Sequence, residues 1–239
     1  MRVSPALLAA VLMSGSAFAA SEHAGHGSMI FWGAGGEVDA SDLNWLTSDD
    51  GTLITWDGYA WIGGDDVKLR LEAEGDSIDG DVEQAELRAF ISWNVSEFWD
   101  VQAGLRHDFE PSDLTWMAVG VHGLAPYFFE TDAHVFVSED GDVMLRAEQS
   151  IDIAVTQDLF LEPHLEVNAF AQDVPDLSVG AGLSDIEIGL QLRYEFSRKF
   201  APYLDLVYER ALGETAGIVR AAGEDVEETT LRLGLRFRL

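Results

Sequence analysis

The 239-residue chain has no cysteine, only fourteen lysines and arginines, and no apolar run that approaches the length of a membrane-spanning helix. Without cysteine, the fold has no disulfides and any metal site lacks thiolate ligands. A spanning helix needs roughly 20 apolar residues, so the sequence predicts none. Forty-three acidic residues give a net charge of -29. That charge disfavours nucleic acid as a partner and favours cations.

Apolar residues are nevertheless abundant, and they alternate with polar ones. Hydrophobic residues make up 47% of the chain and seven residues are Trp, which argues against a disordered acidic polymer. Odd positions of Val67–Glu74 are apolar and even positions are charged, and Leu231–Leu239 alternates in the same way. Period-two alternation is typical of β-strands with one apolar face. High charge and high apolar content are compatible if apolar faces contact lipid and charged faces line an interior.

Twelve segments show this alternation. They are residues 29–39, 53–62, 66–74, 83–95, 99–109, 114–124, 126–137, 143–155, 160–171, 184–196, 202–212 and 230–239. Short and longer connections alternate between them, with Gly75–Val82 among the longer ones, as in barrels with tight periplasmic turns and long outer loops. We therefore predict an all-β protein, an antiparallel transmembrane outer-membrane β-barrel of 12 strands whose last strand pairs with its first. A soluble β-sandwich or lipocalin-like barrel is the alternative. Pro163 requires a bulge or a late start in its strand.

The first residues resemble a secretory signal peptide. Arg2 precedes a short apolar segment, and Ala17-Phe18-Ala19 has the small-x-small form of a cleavage site. The predicted organisation is a signal peptide at 1–19, a short tail at 20–28 and the barrel at 29–239. The predicted location is the outer membrane of a Gram-negative bacterium, with a periplasmic N-terminus.

Several segments resemble the bacterial outer-membrane copper resistance protein B (CopB) family. The stretches that carry the resemblance are Trp56–Gly64, Gln102–Arg106 with Asp108-Phe109, Gly123–Glu130, Gln172–Asp176, Gly182–Asp185, Leu192–Glu195, Phe200–Tyr203 and Arg220–Asp225. The resemblance implies copper binding and copper tolerance at the outer membrane. Family members often carry a long Met- and His-rich segment after the signal peptide, and here it is reduced to Ser21–Met29.

Candidate copper ligands lie in that tail and on the inward faces of the strands. His and carboxylate suit Cu(II), whereas Met sulfur suits Cu(I). In the tail they are His23, His26 and Met29. In the barrel they are Glu130, His134, Met144, Asp152, His164 and Glu166. We expect His164 opposite Asp152, His134 near Arg146, and Met144 near Phe136. The alternative for the lumen is a network of paired opposite charges, and the alternative for the tail is a solvated linker.

The sequence leaves three functions open. The first is an outer-membrane copper-binding protein that sequesters copper ions or helps to export them. The second is an acidic-lumen porin that passes cations without a specific metal site. The third is an outer-membrane lipase, which needs a nucleophile beside a lipid-facing histidine. His107 is the histidine in that position, but its neighbour on the same face is Phe109, which is not a nucleophile. We therefore expect no enzyme. Expected partners are copper ions, outer-membrane lipid, the barrel-assembly machinery and periplasmic copper proteins.

Overall fold

The computed structural model describes residues 30–42 and 51–239, and their strands form one closed antiparallel sheet. The strands are β1 Phe31–Asp42, β2 Thr52–Gly63, β3 Val67–Ile78, β4 Asp81–Ser96, β5 Trp99–Glu110, β6 Leu114–Ala125, β7 Phe129–Ser138, β8 Val143–Ser150, β9 Ile153–Ala154, β10 Leu159–Phe170, β11 Gly182–Tyr194, β12 Phe200–Ala211 and β13 Glu227–Arg238. β8 and β9 both pair with β10, so they occupy one position in the sheet. The barrel therefore has twelve strand positions, and β13 closes it against β1, as predicted.

The gap between β8 and β9 lies beside Pro163. The expected bulge or late start at this proline is wrong, because β10 runs without interruption through Pro163 from Leu159. The neighbouring strand breaks instead, and the Ile151 N–H still donates to the Pro163 carbonyl at 3.3 Å. Since proline has no N–H, it cannot return a second hydrogen bond to that neighbour.

Side chains alternate between a lipid-facing surface and a polar interior. Leu190 and Leu233 point outward and are 44% and 64% exposed, whereas Arg146 and Arg193 point inward and are 4% and 0% exposed. A soluble sandwich or lipocalin-like barrel would show the opposite polarity, with apolar residues inside. The fold is thus the predicted membrane barrel.

The connections differ at the two ends of the barrel. Among the described residues, the turn-end connections are 64–66, 97–98, 126–128, 155–158 and 195–199, and the loop-end connections are 79–80, 111–113, 139–142, 171–181 and 212–226. The predicted long connection at Gly75–Val82 is wrong, because β3 and β4 extend until only Asp79 and Gly80 remain. Both have positive φ, 53° and 91°, as a two-residue Asp-Gly hairpin requires.

Two loop-end connections contact each other above the barrel interior. The connection 212–226 contains a helix, α1 (Thr215–Ala222), which the sequence analysis did not predict. Thr215 accepts a hydrogen bond of 3.0 Å on its hydroxyl from the N–H of Gly180, in the connection 171–181. Within the described part of the chain, no helix is long and apolar enough to cross a bilayer.

Candidate functional site

The barrel interior contains a cavity of about 850 Å³ that extends to the loop end. Inward-facing side chains from most strands line it, together with Leu177, Val179 and Val219 from the two loop-end connections. Twenty-one carboxylates and seven arginines are among the lining residues. The wall of the cavity is therefore strongly acidic.

One group of arginines is held around a single buried carboxylate. Glu86 is 3% exposed. Its oxygens lie 3.1 Å from Arg88 Nε, 2.8 Å from Arg106 Nη2 and 3.1 Å from Arg146 Nη1. Arg88 and Arg146 also contact Glu74, at 2.7 and 3.5 Å. These contacts neutralise charge in the middle of the barrel, as buried ions require.

A second group surrounds Arg193, whose side chain is inaccessible to solvent. Asp152 accepts two hydrogen bonds of 2.8 Å from Arg193 Nη2. Glu162 contacts both Arg193 and Arg236, the latter at 2.9 Å, and Arg236 also contacts Glu37. The carboxylate of Asp152 is thus already paired with a guanidinium group.

His164 does not lie opposite Asp152, its expected partner. Its strand partner is Ser150, so the expected position opposite Asp152 is wrong. Leu161 pairs with Ile153 in the same register, which places Asp152 at the level of Glu162. His164 Nε2 lies 3.5 Å from Glu187 Oε1 and 3.8 Å from Asp205 Oδ2. Alternation along β11 and β12 places both acids on inward faces, but it does not show that they lie beside His164.

Of the other predicted carboxylate ligands, Glu166 has side-chain partners of its own. Glu166 accepts a 2.7 Å hydrogen bond from the amide of Asn168 and lies 3.4 Å from Arg146. Glu130 pairs with Ser150 across β7 and β8 and lines the cavity. A role for Glu130, Asp152 and Glu166 in metal binding stays a prediction.

His134 and Met144 occupy the predicted register, opposite Arg146 and Phe136. His134 is buried, its Nε2 is 2.8 Å from Gln102 Oε1, and its ring stacks on Phe90 with centroids 4.8 Å apart. Met144 lines the cavity, with its sulfur 3.7 Å from Arg106 Nη1. Of the two candidates, Met144 lines the cavity and His134 does not.

Preformed metal centres are absent from residues 30–42 and 51–239: no group of three or more His, Asp or Glu side chains there is already arranged around one ion. The predicted tail ligands His23, His26 and Met29 lie outside the described residues.

The lipid-facing His107 has a hydroxyl neighbour that the sequence analysis missed. Its Nδ1 lies 3.0 Å from Thr115 Oγ1, its Nε2 lies 3.6 Å from Asp113, and Phe109 packs edge-on against its ring. Thr115 is directly opposite on β6, so the hydroxyl comes from the neighbouring strand. This polar cluster lies at the outer surface near the loop end, on the opposite face of the barrel wall from the cavity.

One protein family and two individual proteins are similar to this chain over most of its length. The profile of the family described as copper resistance protein B precursor (CopB) matches residues 36–239. A copper resistance protein B homolog of Pseudomonas syringae pv. tomato is 40% identical over 199 residues, which cover 83% of this chain and 68% of that protein. A copper resistance protein B of Escherichia coli is 38% identical over 216 residues, which cover 90% of this chain and 72% of that protein.

Among solved structures, the NanC porin superposes with a TM-score of 0.55 and 11% identity, covering 87% of this chain and all of that one. Similarity at this level shows a shared barrel fold alone. The family and the fold are those of outer-membrane barrels and not those of an enzyme family. The chain belongs to the copper resistance protein B family of outer-membrane β-barrel proteins.

Proposed function

We propose that this protein contributes to copper resistance by binding copper ions in its acid-lined cavity and so sequestering them at the outer membrane. The observation that carries the proposal is the excess of carboxylates in the cavity, twenty-one against seven arginines. Such a cavity concentrates cations, because low-dielectric walls lined by one sign of charge focus the field. The names of the related proteins supply the identity of the cation.

Packed side chains inside the barrel support retention of ions over free passage. Phe90, Gln102 and Arg193 point inward from three strands, are inaccessible to solvent and do not line the cavity. These side chains fill part of the interior beside the cavity. A cation porin, the alternative function, needs a continuous aqueous path through this region.

The remaining parts of the proposal rest on the sequence. The signal peptide at 1–19 directs export, and the tail at 20–28 with Met29 lies in the periplasm, where His23, His26 and Met29 offer a second binding site. Imidazole suits Cu(II) and the thioether suits Cu(I). There the tail can receive copper from periplasmic copper proteins. The barrel contacts outer-membrane lipid, and its C-terminal strand is the segment that the assembly machinery recognises.

Copper titration of the purified, detergent-folded protein tests the proposal. We would titrate Cu(II), and Cu(I) under a reductant, into the wild type and into a full-length variant carrying His23→Gln, His26→Gln and Met29→Leu. We expect saturable binding in both proteins, because the cavity retains its own ligands. Absence of saturable binding in the wild type, together with cation conductance in planar bilayers, would overturn the proposal in favour of the porin.

A further inference from the structure

We propose that Arg198, Lys199 and Arg238 bind the phosphate of an anionic phospholipid at the turn end of the barrel. Arg198 and Lys199 lie in the connection 195–199, and Arg238 is the last residue of β13. The Arg238 N–H donates to the Lys199 carbonyl at 3.1 Å, so the two segments are direct neighbours. We call these three residues the basic corner.

The basic corner differs from the other basic residues of the chain, most of which are paired with acids. Arg2 lies outside the described residues, and nine of the other thirteen lysines and arginines form ion pairs with carboxylates. Arg198, Lys199, Arg220 and Arg238 form none with a carboxylate that the structure describes. Because the chain has 43 acidic residues, a shortage of carboxylates does not explain this. Three of the four unpaired charges nevertheless meet at one place.

The acids in the connection 195–199 and in the neighbouring turn do not neutralise the basic corner. Glu195 lies 3.5 Å from Arg193 Nε and so belongs to an interior ion pair. The carbonyl of Asp158 accepts a 2.8 Å hydrogen bond from the Glu195 N–H, but its carboxylate forms no ion pair with a described basic residue. The basic corner therefore keeps its positive charge at the protein surface.

The strand register sets two of these charges against each other. Phe200 pairs with Phe237, and continuing that register places Lys199 directly opposite Arg238. Like charges in directly opposite positions of an antiparallel pair are destabilising. All three residues of the basic corner are exposed, so an anion can reach them and relieve the repulsion.

Exposed apolar side chains beside the basic corner place it at the membrane surface. Tyr194, Phe200 and Leu239 are exposed, and Phe196 is 71% exposed. Phe196 packs edge-on against Tyr194, with centroids 4.8 Å apart. Aromatic residues are enriched at the membrane–water interface, where lysine and arginine extend their charged ends to the headgroups. This setting favours a lipid headgroup over a soluble anion.

The chemistry of the basic corner selects an anionic headgroup. Arginine binds a phosphate through paired N–H groups, and lysine binds it as a point charge. Phosphatidylglycerol has no cationic group, whereas phosphatidylcholine carries an ammonium group that three positive side chains repel. None of the three residues lines the cavity, so lipid binding here is independent of the proposed copper binding.

Quenching of a single fluorophore by brominated lipids tests the basic corner. The chain has no cysteine, so Ser197→Cys in the full-length protein provides one labelling site within the connection 195–199. The labelled protein is reconstituted into vesicles of phosphatidylcholine and phosphatidylglycerol, in which one lipid or the other is brominated. Glu97→Cys is the control position, because the turn 97–98 lies at the same end beside the exposed Phe98 and contains no basic residue.

We expect brominated phosphatidylglycerol to be preferred at position 197 by at least about fivefold, which corresponds to the attraction of a single basic residue to an anionic lipid surface. The label at 97 should show no such preference. Combining Arg198→Gln, Lys199→Gln and Arg238→Gln should abolish the preference at 197, whereas Arg220→Gln, which removes the unpaired charge at the loop end, should retain it.

Two results would refute the proposal. The first is equal quenching of the label at 197 by the two lipids, which would leave an acidic protein as the partner of the basic corner. The second is a preference that persists in the triple variant. Denaturant unfolding shows beforehand that each variant is folded, and all three substituted side chains are exposed.

Discussion

The imidazole of His164 lies directly over the backbone of Gly189, its partner on the adjacent strand. A Cβ atom at position 189 would be 2.0 Å from both Cε1 and Nε2 of that ring. The glycine thus provides the space in which His164 approaches Glu187 and Asp205. Gly120 has the same relationship to His134, and Gly234 to Tyr203.

Gly189→Ala is expected to displace His164 and to weaken Cu(II) binding. The added methyl group also overpacks the interior, which typically costs about 1–3 kcal/mol of the free energy of unfolding. Denaturant unfolding in lipid and Cu(II) titration measure the two effects. Gly217→Ala is the control, because no atom lies within 4 Å of a Cβ at that helical position. An unchanged Cu(II) affinity in folded Gly189→Ala would show that the position of His164 does not matter for binding.

Glu86→Gln is expected to destabilise the barrel strongly. The substitution leaves Arg88, Arg106 and Arg146 clustered around a neutral amide, and breaking a buried ion pair from one side costs about 3–5 kcal/mol. The control Glu97→Gln removes an exposed carboxylate in the turn 97–98 and should change stability by no more than about 0.5 kcal/mol. Equal unfolding midpoints for the two variants would contradict a structural role for the Glu86 cluster.

Most of the fold could be predicted because the face on which a side chain lies follows from its odd or even position along a single strand. The direction of Leu190 or Arg193 depends only on counting along one strand, and the register of His134 with Arg146 depends only on counting from one hairpin. The same counting failed for His164, because it depends on where the turn between β9 and β10 is centred; the gap between β8 and β9 leaves the register unchanged. The helix α1 was missed because it is eight residues long and lies inside a loop.

The site could be predicted only in part. Alternation along each strand shows which acids and histidines point inward. Which of these side chains contact one another depends on the stagger of the strands and the curvature of the barrel. Asp205 is two strands away from His164, and Arg146 reaches Glu86 across a separation of 60 residues. No period in the sequence encodes such contacts, so the expected ligands and the observed neighbours of His164 differ.

Phe90→Ala is expected to raise ion conductance. Phe90 is inaccessible to solvent and stacks on His134 inside the barrel, with centroids 4.8 Å apart. Removing the ring leaves space beside the polar chain from His134 through Gln102 to Ser92, whose contacts are 2.8 and 3.4 Å. Water and ions can then pass where the wild type is packed.

Planar-bilayer recording of the wild type and of Phe90→Ala measures this effect, with Phe109→Ala as the control for loss of a lipid-facing ring that is 49% exposed. Because a buried Phe→Ala change costs about 3–5 kcal/mol of stability, folding is verified first by resistance to denaturant. Conductance in the wild type equal to that of Phe90→Ala would mean that this packing does not close the lumen. Retention of copper would then have to depend on ligand affinity alone.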